Sequence, residues 1–159
     1  MMEDQLFETI YEQTARPLWA YAARISGDAS AADDILQETY LRFLKASRPP
    51  TDPKEAKQYL YKIATNLVYD RFRSLKRRGE SEIVETQFAT SDTFAADMEM
   101  TQVFSRLKEQ ERMLLWLAYV EGYDHRQIAE IAKLSKLSVK VLLFRARRKL
   151  AELMTSEKK

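Results

Sequence analysis

The segment QYLYKIATNLVYDRFRSLKRR, residues Gln58–Arg78, has two unlike faces when it is read at the period of an α-helix. One face is an apolar stripe wide enough to be buried against other helices. It comprises Leu60, Ile63, Ala64, Leu67, Val68, Phe72 and Leu75. The opposite face carries Lys62, Asn66, Tyr69, Arg73 and Lys76. Such side chains can hold phosphates, read base edges and stack on unpaired bases, although a solvated helix with a basic end has the same composition.

Cysteine and histidine usage excludes several kinds of site. The chain of 159 residues is 45% apolar and 31% charged, which suits one or two small domains with packed cores. The absence of cysteine excludes disulfides and thiolate metal sites, and a single histidine, His125, disfavours a multi-histidine metal site. No glycine-rich phosphate loop or nucleophile–base pair is recognisable. We therefore expect no enzyme activity, no metal and no cofactor.

The chain also lacks the patterns of a secreted or membrane-inserted protein. Its N-terminus, MMEDQLFETIYEQ, is acidic and has no apolar signal core. The longest purely apolar run, Met113–Val120, is far too short to cross a bilayer. We expect a soluble cytoplasmic protein without membrane insertion.

Charge is distributed in a basic–acidic–basic order that the net charge of +2 conceals. Basic residues cluster at residues 71–78 and again at residues 145–149, whereas Glu80–Ser105 contains acidic residues and no Lys or Arg. This order suggests two units that bind a polyanion, joined by a connector that avoids or mimics it.

The helix Asp4–Arg24 is predicted to break near Ala15–Arg16, with Pro17 in the first turn of a second helix. Trp19 is predicted to be a core residue. Gly27 should end this helix, and Asp28 or Ser30 should cap the next.

A third helix is predicted at Ala31–Ala46, ended by the proline-rich segment Ser47–Pro53. Its predicted buried stripe is Ala32, Ile35, Leu36, Thr39, Tyr40, Phe43 and Leu44. The opposite face suits protein docking, because it surrounds an exposed leucine with acids and an amide, although a lone exposed leucine is also common. The residues of this face are Asp34, Gln37, Glu38, Leu41 and Lys45.

Arg71 lies on the apolar stripe of Gln58–Arg78, where a buried guanidinium needs an acidic partner. The partner is predicted to be a carboxylate of the preceding helix: Asp33, Asp34 or Glu38.

Between Gly79 and Met100 the helical periodicity of apolar residues is weak, and this segment is predicted to be a domain boundary. Phe88 and Phe94 could dock locally within this segment. Met100–Val120 is predicted to be helical again, with Gly122 as its stop.

The C-terminal part has the pattern of a helix-turn-helix. Asp124 caps a first helix, Lys133–Lys136 forms a short turn, and Ser135 caps a second helix that contains the basic cluster. The predicted core residues are Ile128, Ala129, Ile131, Val139, Leu143, Ala146 and Leu150. The pattern favours DNA binding over a plain helical hairpin. The overall prediction is an all-α protein of two small helical domains joined by a linker.

Three motifs in this order resemble an extracytoplasmic-function sigma factor, one of the smallest sigma subunits of bacterial RNA polymerase. The motifs are DDILQETYLRFLK, QYLYKIATNLVYDRFRSLKRR and EQERMLLWLAYVEGYDHRQIAEIAKLS followed by VKVLLFRARRKL. The resemblance covers roughly Leu6 to Leu153. It implies three parts: residues 1–79 as sigma region 2, residues 80–100 as an acidic linker, and residues 101–159 as sigma region 4.

The resemblance also implies the role of each surface. Asp34, Gln37, Glu38 and Leu41 would bind core RNA polymerase. The −10 promoter element would be recognised and melted by Lys62, Asn66, Tyr69, Arg73, Lys76 and Arg77. The segment Ser47–Pro53 lies where the family captures a flipped base. The −35 element would be bound by Lys136, Leu137, Lys140, Val141, Phe144, Arg147 and Arg148.

The recognition helix departs from the family pattern. Where the family often has Gly-Thr-Val-Lys-Ser-Arg-Leu, this chain has Leu-Ser-Val-Lys-Val-Leu-Leu at residues 137–143. The apolar Leu137, Val141 and Phe144 suit thymine methyl groups or a protein partner such as an inhibitory anti-sigma factor.

Two other functions are compatible with parts of the chain. A stand-alone helix-turn-helix regulator would explain Asp124–Leu150, and a helical adaptor would use the apolar residues of the last helix. The stand-alone regulator leaves the faces around Leu41 and Asn66 without a role.

Overall fold

The computed structural model describes residues 2–79 and 98–157, with side chains placed for 2–79 and 101–155. The chain divides into two compact units, Met1–Ile83 and Val84–Lys159, which are described separately. The linker prediction for 80–100, with Phe88 and Phe94, falls almost entirely outside the described residues. Every helix and turn named below belongs to the described part of the chain.

The first unit packs the helices α1 (Asp4–Ser26), α2 (Ala29–Lys45) and α3 (Pro53–Arg77) against one another. The rings of Tyr21 and Tyr61, whose centroids are 5.0 Å apart, lie in its core. The Tyr21 hydroxyl lies 2.8 Å from the Thr65 hydroxyl, so two buried polar groups satisfy each other.

Helix α1 is continuous, so the predicted break at Ala15–Arg16 is wrong. Pro17 lies inside the helix and cannot donate a hydrogen bond to the carbonyl of Gln13. Because Gln13 is exposed, water can hydrate that carbonyl. Burial of Ile10 and Leu18 on either side of the proline holds both segments on the same core.

Trp19 is half-buried rather than a core residue. Its indole N–H donates a hydrogen bond of 2.7 Å to Asp33, which ties α1 to α2 at the surface. Helix α2 is capped by Asp28, as predicted, and Gly27 ends α1 with a φ of 72°.

The buried stripe of α2 agrees with prediction except at Leu36, which is half-buried, and Leu44, which is exposed. In α3, the buried stripe is rotated around the helix axis relative to the predicted stripe. Tyr61 and Thr65 are buried, whereas Ile63, Leu67 and Leu75 are half-buried.

Arg71 does pair with a carboxylate, but not with Asp33, Asp34 or Glu38 as predicted. Its guanidinium donates a 3.0 Å hydrogen bond to Asp28, the residue that caps α2. The cap residue lies at the start of α2, so the C-terminal part of α3 packs beside that end.

The second unit contains α4 (Met98–Ser105), α5 (Glu109–Leu115), a π-helical segment (Trp116–Val120), α6 (His125–Ala132) and α7 (Lys136–Glu157). The predicted continuous helix Met100–Val120 is wrong, because the chain turns between α4 and α5. The buried Arg112 donates a hydrogen bond to the carbonyl of Leu107, which stabilises this turn.

Helices α6 and α7 form the predicted helix-turn-helix. The Asp124 carboxylate accepts a 2.8 Å hydrogen bond from the Gln127 N–H, and the Ser135 hydroxyl accepts one of 3.1 Å from Ser138. Two of the predicted core residues are only half-buried, Ala129 and Leu150, and Ala132 is buried instead.

Candidate nucleic-acid interface

The polar face of α3 is accessible over its whole length. Lys62, Asn66 and Tyr69 are half-buried, whereas Arg73 and Lys76 are exposed. These side chains therefore stay outside the core, whereas Leu60, Ala64 and Val68 on the other side of the same helix are buried. The polar face is completed by Arg77, which is also exposed. Its contacts with promoter DNA remain a prediction.

One acidic residue on this face was not singled out from the sequence. Asp70 pairs with Arg73 within α3, at a spacing that brings side chains together on a helix. Asp70, Arg73, Lys76 and Arg77 line a cavity of about 440 Å³. Asp70 offsets part of the positive charge there, and the spacing of three residues was the signal that could have shown it.

The predicted docking face of α2 is exposed around one apolar side chain. Leu41 is 46% exposed, with Asp34 and Gln37 also exposed. Glu38 accepts a 2.9 Å hydrogen bond from Arg42 one turn later in α2. The face is thus an apolar residue surrounded by polar and acidic groups.

All seven predicted DNA-binding residues of α7 are exposed and lie on one side of the helix. Lys136, Lys140 and Arg147 lie along one edge of this face. Leu137, which is 72% exposed, lies along the other edge with Val141, Phe144 and Arg148. Val139, Leu143 and Ala146 are buried on the opposite side. The cations of the face are Lys136, Lys140, Arg147 and Arg148.

A cavity of about 700 Å³ lies between the start of α6 and the cationic edge of α7. Arg147 donates a 2.9 Å hydrogen bond to the hydroxyl of Tyr119 in this cavity. Of its lining, only Lys136 and Arg147 were predicted from the sequence to bind DNA. The lining comprises Ala118, Tyr119, Tyr123, Asp124, His125, Arg126, Lys136, Leu143 and Arg147.

Tyr123 contributes a neutral phenol to this cavity. Burial raises its pKa to about 12, and the charge of Glu121 adds to the effect. The hydroxyl therefore keeps its proton at any pH near neutrality. His125 is half-buried at the cavity wall.

Two further properties concern the described residues alone. Residues 2–79 and 98–157 include no group of three or more His, Cys, Asp or Glu placed to hold a metal ion. No helix within those ranges is both long enough and apolar enough to cross a membrane.

Comparison with known families gives two matches in the expected order. The Sigma-70 region 2 model matches residues 10–78, and the Sigma-70 region 4 model matches residues 97–150. The first match contains α2 and α3, and the second contains the helix-turn-helix. A stand-alone regulator is not favoured, because it gives the first unit no role.

Curated relatives align over nearly the full chain. The ECF RNA polymerase sigma factor SigL of Mycobacterium tuberculosis is 30% identical over 156 residues, which cover 93% of this chain and 88% of SigL. SigM of Bacillus subtilis, also an ECF RNA polymerase sigma factor, is 25% identical over 153 residues, which cover 92% of this chain and 93% of SigM.

A solved structure has a similar fold. It is the sigma factor RpoE of Bartonella quintana in complex with the anti-sigma factor NepR, with a TM-score of 0.72 at 20% identity. The match covers 94% of this chain and 96% of RpoE. With region 2 and region 4 both matched and SigL aligned over most of its length, the chain belongs to the extracytoplasmic-function sigma factors of RNA polymerase.

Proposed function

We propose that this sigma factor acts through three separate surfaces, one for core RNA polymerase and two for promoter DNA. Residues 1–79 bind the polymerase and melt the −10 element, residues 80–100 connect the two domains, and residues 101–159 bind the −35 element. Each contact is weak by itself. Linking them makes the later binding events intramolecular, which raises the overall affinity.

The polar face of α3 is the observation that supports this proposal most directly. Asn66 and Tyr69 are half-exposed in the middle of a helix whose other side buries Leu60, Ala64 and Val68. The amide suits base edges and the ring suits stacking on an unpaired base. Lys62, Arg73, Lys76 and Arg77 hold the phosphates around them. The segment Ser47–Pro53 receives a flipped base.

Core RNA polymerase binds the face of α2 formed by Asp34, Gln37, Glu38 and Leu41. An apolar residue surrounded by polar groups is the usual anatomy of a protein interface. Leu41 is the residue of this face with the most apolar surface to bury.

The helix-turn-helix binds the −35 element chiefly through contacts with the DNA backbone. Lys136, Lys140, Arg147 and Arg148 neutralise phosphates, while Leu137, Val141 and Phe144 contact thymine methyl groups or an anti-sigma factor. A protein partner of that class is supported by RpoE, whose solved structure is a complex with the anti-sigma factor NepR.

The mechanism involves no covalent chemistry and no cofactor. Binding energy alone positions the polymerase and holds the melted strand, so the protein is an initiation factor rather than an enzyme. It acts in the cytoplasm, where polymerase and promoter DNA are found.

The test is transcription in vitro with core RNA polymerase and a promoter library. Leu41→Ser and Leu44→Ser form a matched pair, because both leucines are 46% exposed on α2 and only Leu41 belongs to the docking face. We expect Leu41→Ser to weaken polymerase binding at least tenfold, since buried apolar residues near the centre of an interface dominate affinity. Leu44→Ser should bind normally.

A third variant separates polymerase binding from promoter melting. The double substitution Asn66→Ala, Tyr69→Ala should preserve polymerase affinity while reducing promoter-specific transcripts about tenfold or more. The proposal would be wrong if the wild-type chain directed polymerase to no start site, or if both leucine variants behaved alike.

A further inference from the structure

We infer that Tyr119 is a positioning residue for −35 DNA, which holds the Arg147 guanidinium so that it binds one backbone phosphate. The inference rests on the proposed binding of the −35 element by the second unit. It adds a residue outside the helix-turn-helix to that interface and assigns the adjoining cavity to a phosphate group.

Tyr119 belongs to the π-helical segment Trp116–Val120, which continues from α5. The N–H of Glu121 donates to the carbonyl of Trp116 and that of Tyr123 to the carbonyl of Leu117, both longer-range bonds than in an α-helix. Tyr119 is 59% exposed, so its ring contributes little to the core. Its hydroxyl nevertheless reaches a side chain on α7.

The direction of the Tyr119–Arg147 hydrogen bond leaves both groups able to donate further. The guanidinium donates to the phenol oxygen over 2.9 Å, which leaves the phenol O–H proton directed elsewhere. Arg147 retains its other N–H groups, because only one nitrogen is used in this bond. Arg147 therefore keeps N–H donors for a phosphate oxygen while the phenol oxygen of Tyr119 holds its side chain in place.

The surrounding cavity favours an anion. Arg126 and Lys136 line it together with Arg147, and Tyr123 and His125 add polar aromatic groups. Among the described residues of the lining, Asp124 is the one carboxylate, and it accepts the hydrogen bond that caps α6. The permanent cations thus outnumber the carboxylate. Because Lys136 and Arg147 also belong to the cationic edge of α7, a DNA strand bound along α7 can place a phosphate in this cavity.

A bond that preorganises Arg147 should raise DNA affinity by restricting a long side chain before binding. Removing the phenol hydroxyl leaves the ring and the charge in place. Tyr119→Phe should therefore lower the affinity of the holoenzyme for promoter DNA about three- to tenfold, which is the effect of one hydrogen bond. Arg147→Ala should lower it about tenfold or more and reduce the salt slope by about one.

The decisive measurement is a double-mutant cycle with full-length chain and core polymerase. Tyr119→Phe should have no further effect in the Arg147→Ala background, because Tyr119 acts through Arg147. Val120→Ala in the same π-helical segment is the control for local loosening and should bind like the wild type. Unfolding midpoints should be equal for the Tyr119→Phe variant and the wild type.

A scan with neutral methylphosphonates along the −35 DNA separates this inference from the proposed function. The wild type should lose affinity at one particular phosphate, and Arg147→Ala should be insensitive there. A wild type insensitive at every −35 phosphate would overturn the proposed −35 binding itself. Two results with a sensitive wild type would overturn only the role of Tyr119. One is that the Tyr119→Phe variant binds DNA like the wild type. The other is that Tyr119→Phe lowers DNA affinity by the same factor in the Arg147→Ala background.

Discussion

At the scale of single residues, Asp28 performs two structural tasks with its two carboxylate oxygens. One oxygen accepts hydrogen bonds from the N–H groups of Ser30 and Ala31, and the other accepts from Arg71. The first task starts α2, and the second attaches α3 to that starting point. A carboxylate is needed because an amide oxygen alone could not serve both sets of donors.

We expect Asp28→Ala to destabilise the first unit by about 1–2 kcal/mol, because it removes a helix cap and leaves Arg71 without its carboxylate. Chemical denaturation followed by helicity measures this loss. Arg73→Ala is the control, since its ion pair with Asp70 is solvent-exposed and should contribute little. Equal stability of Asp28→Ala and wild type would contradict the double role.

Tyr40 is the basis of a second prediction at the scale of single residues, which concerns the pH dependence of stability. Burial raises its pKa to about 12, the neighbouring Tyr11 adds to the rise, and the hydrogen bond with Thr14 opposes it. In the unfolded chain a tyrosine ionises near pH 10. Above that pH the unfolded state binds fewer protons than the folded state, so stability is intact below about pH 10 and falls towards pH 12.

Comparing the free energy of unfolding at about pH 9 and pH 11 tests this assignment. Tyr40→Phe should show a smaller loss than the wild type across this interval. Tyr59→Phe removes a half-buried phenol of the same unit and serves as the control. A loss of equal size in wild type and Tyr40→Phe would exclude Tyr40 as its source.

At the scale of helices, packing overrides a local helix-breaking signal. Pro17 lies in the interior of α1, where a proline costs about 3 kcal/mol relative to alanine in an isolated helix. The helix continues because Ile10, Leu18 and Tyr21 are buried on both sides of the proline. Tertiary burial therefore offsets the missing hydrogen bond.

Pro17→Ala should restore the hydrogen bond to Gln13 and stabilise the first unit by about 1–3 kcal/mol. The measurement is the denaturation midpoint, with Ala15→Gly as an opposite control in the same helix, expected to destabilise by about 1 kcal/mol. If Pro17→Ala were destabilising, the proline would be contributing packing that exceeds its backbone cost.

At the scale of the whole molecule, the chain carries its binding surfaces on two compact units, Met1–Ile83 and Val84–Lys159. As a member of its family it binds core RNA polymerase and directs promoter-specific initiation. In the proposed function, the first unit binds polymerase and the second binds the −35 element, so the covalent connection makes the second binding event intramolecular. The local concentration created by a short linker is on the order of millimolar.

Supplying residues 1–79 and 101–159 as separate polypeptides should therefore reduce promoter-specific transcription at least a hundredfold at micromolar protein. Intact chain at the same concentration is the reference. Far-ultraviolet circular dichroism of each half checks that its helices persist. Equal activity of the mixture and the intact chain would show that linkage contributes nothing.

The caps and the helix-turn-helix, which depend on neighbours in the chain, were predicted correctly. The helix-turn-helix, the caps Asp28, Asp124 and Ser135, and the exposed position of Leu41 all agree with the structure. Each rests on spacing within one or two helical turns, where side chains interact whatever the remainder of the chain does. The DNA and polymerase contacts assigned to these surfaces remain predictions.

The amino-acid sequence by itself determined the all-α class, the helix-turn-helix and the helix caps, because these follow from local periodicity and capping. Tertiary structure alone decided which carboxylate meets Arg71, that Tyr61 and Thr65 are buried in place of Ile63 and Leu67, and that α1 passes through Pro17. It also brought Tyr119 to Arg147 across 28 positions of sequence. Those outcomes depend on how helices rotate and cross to fill a shared core, and no single helix carries that information.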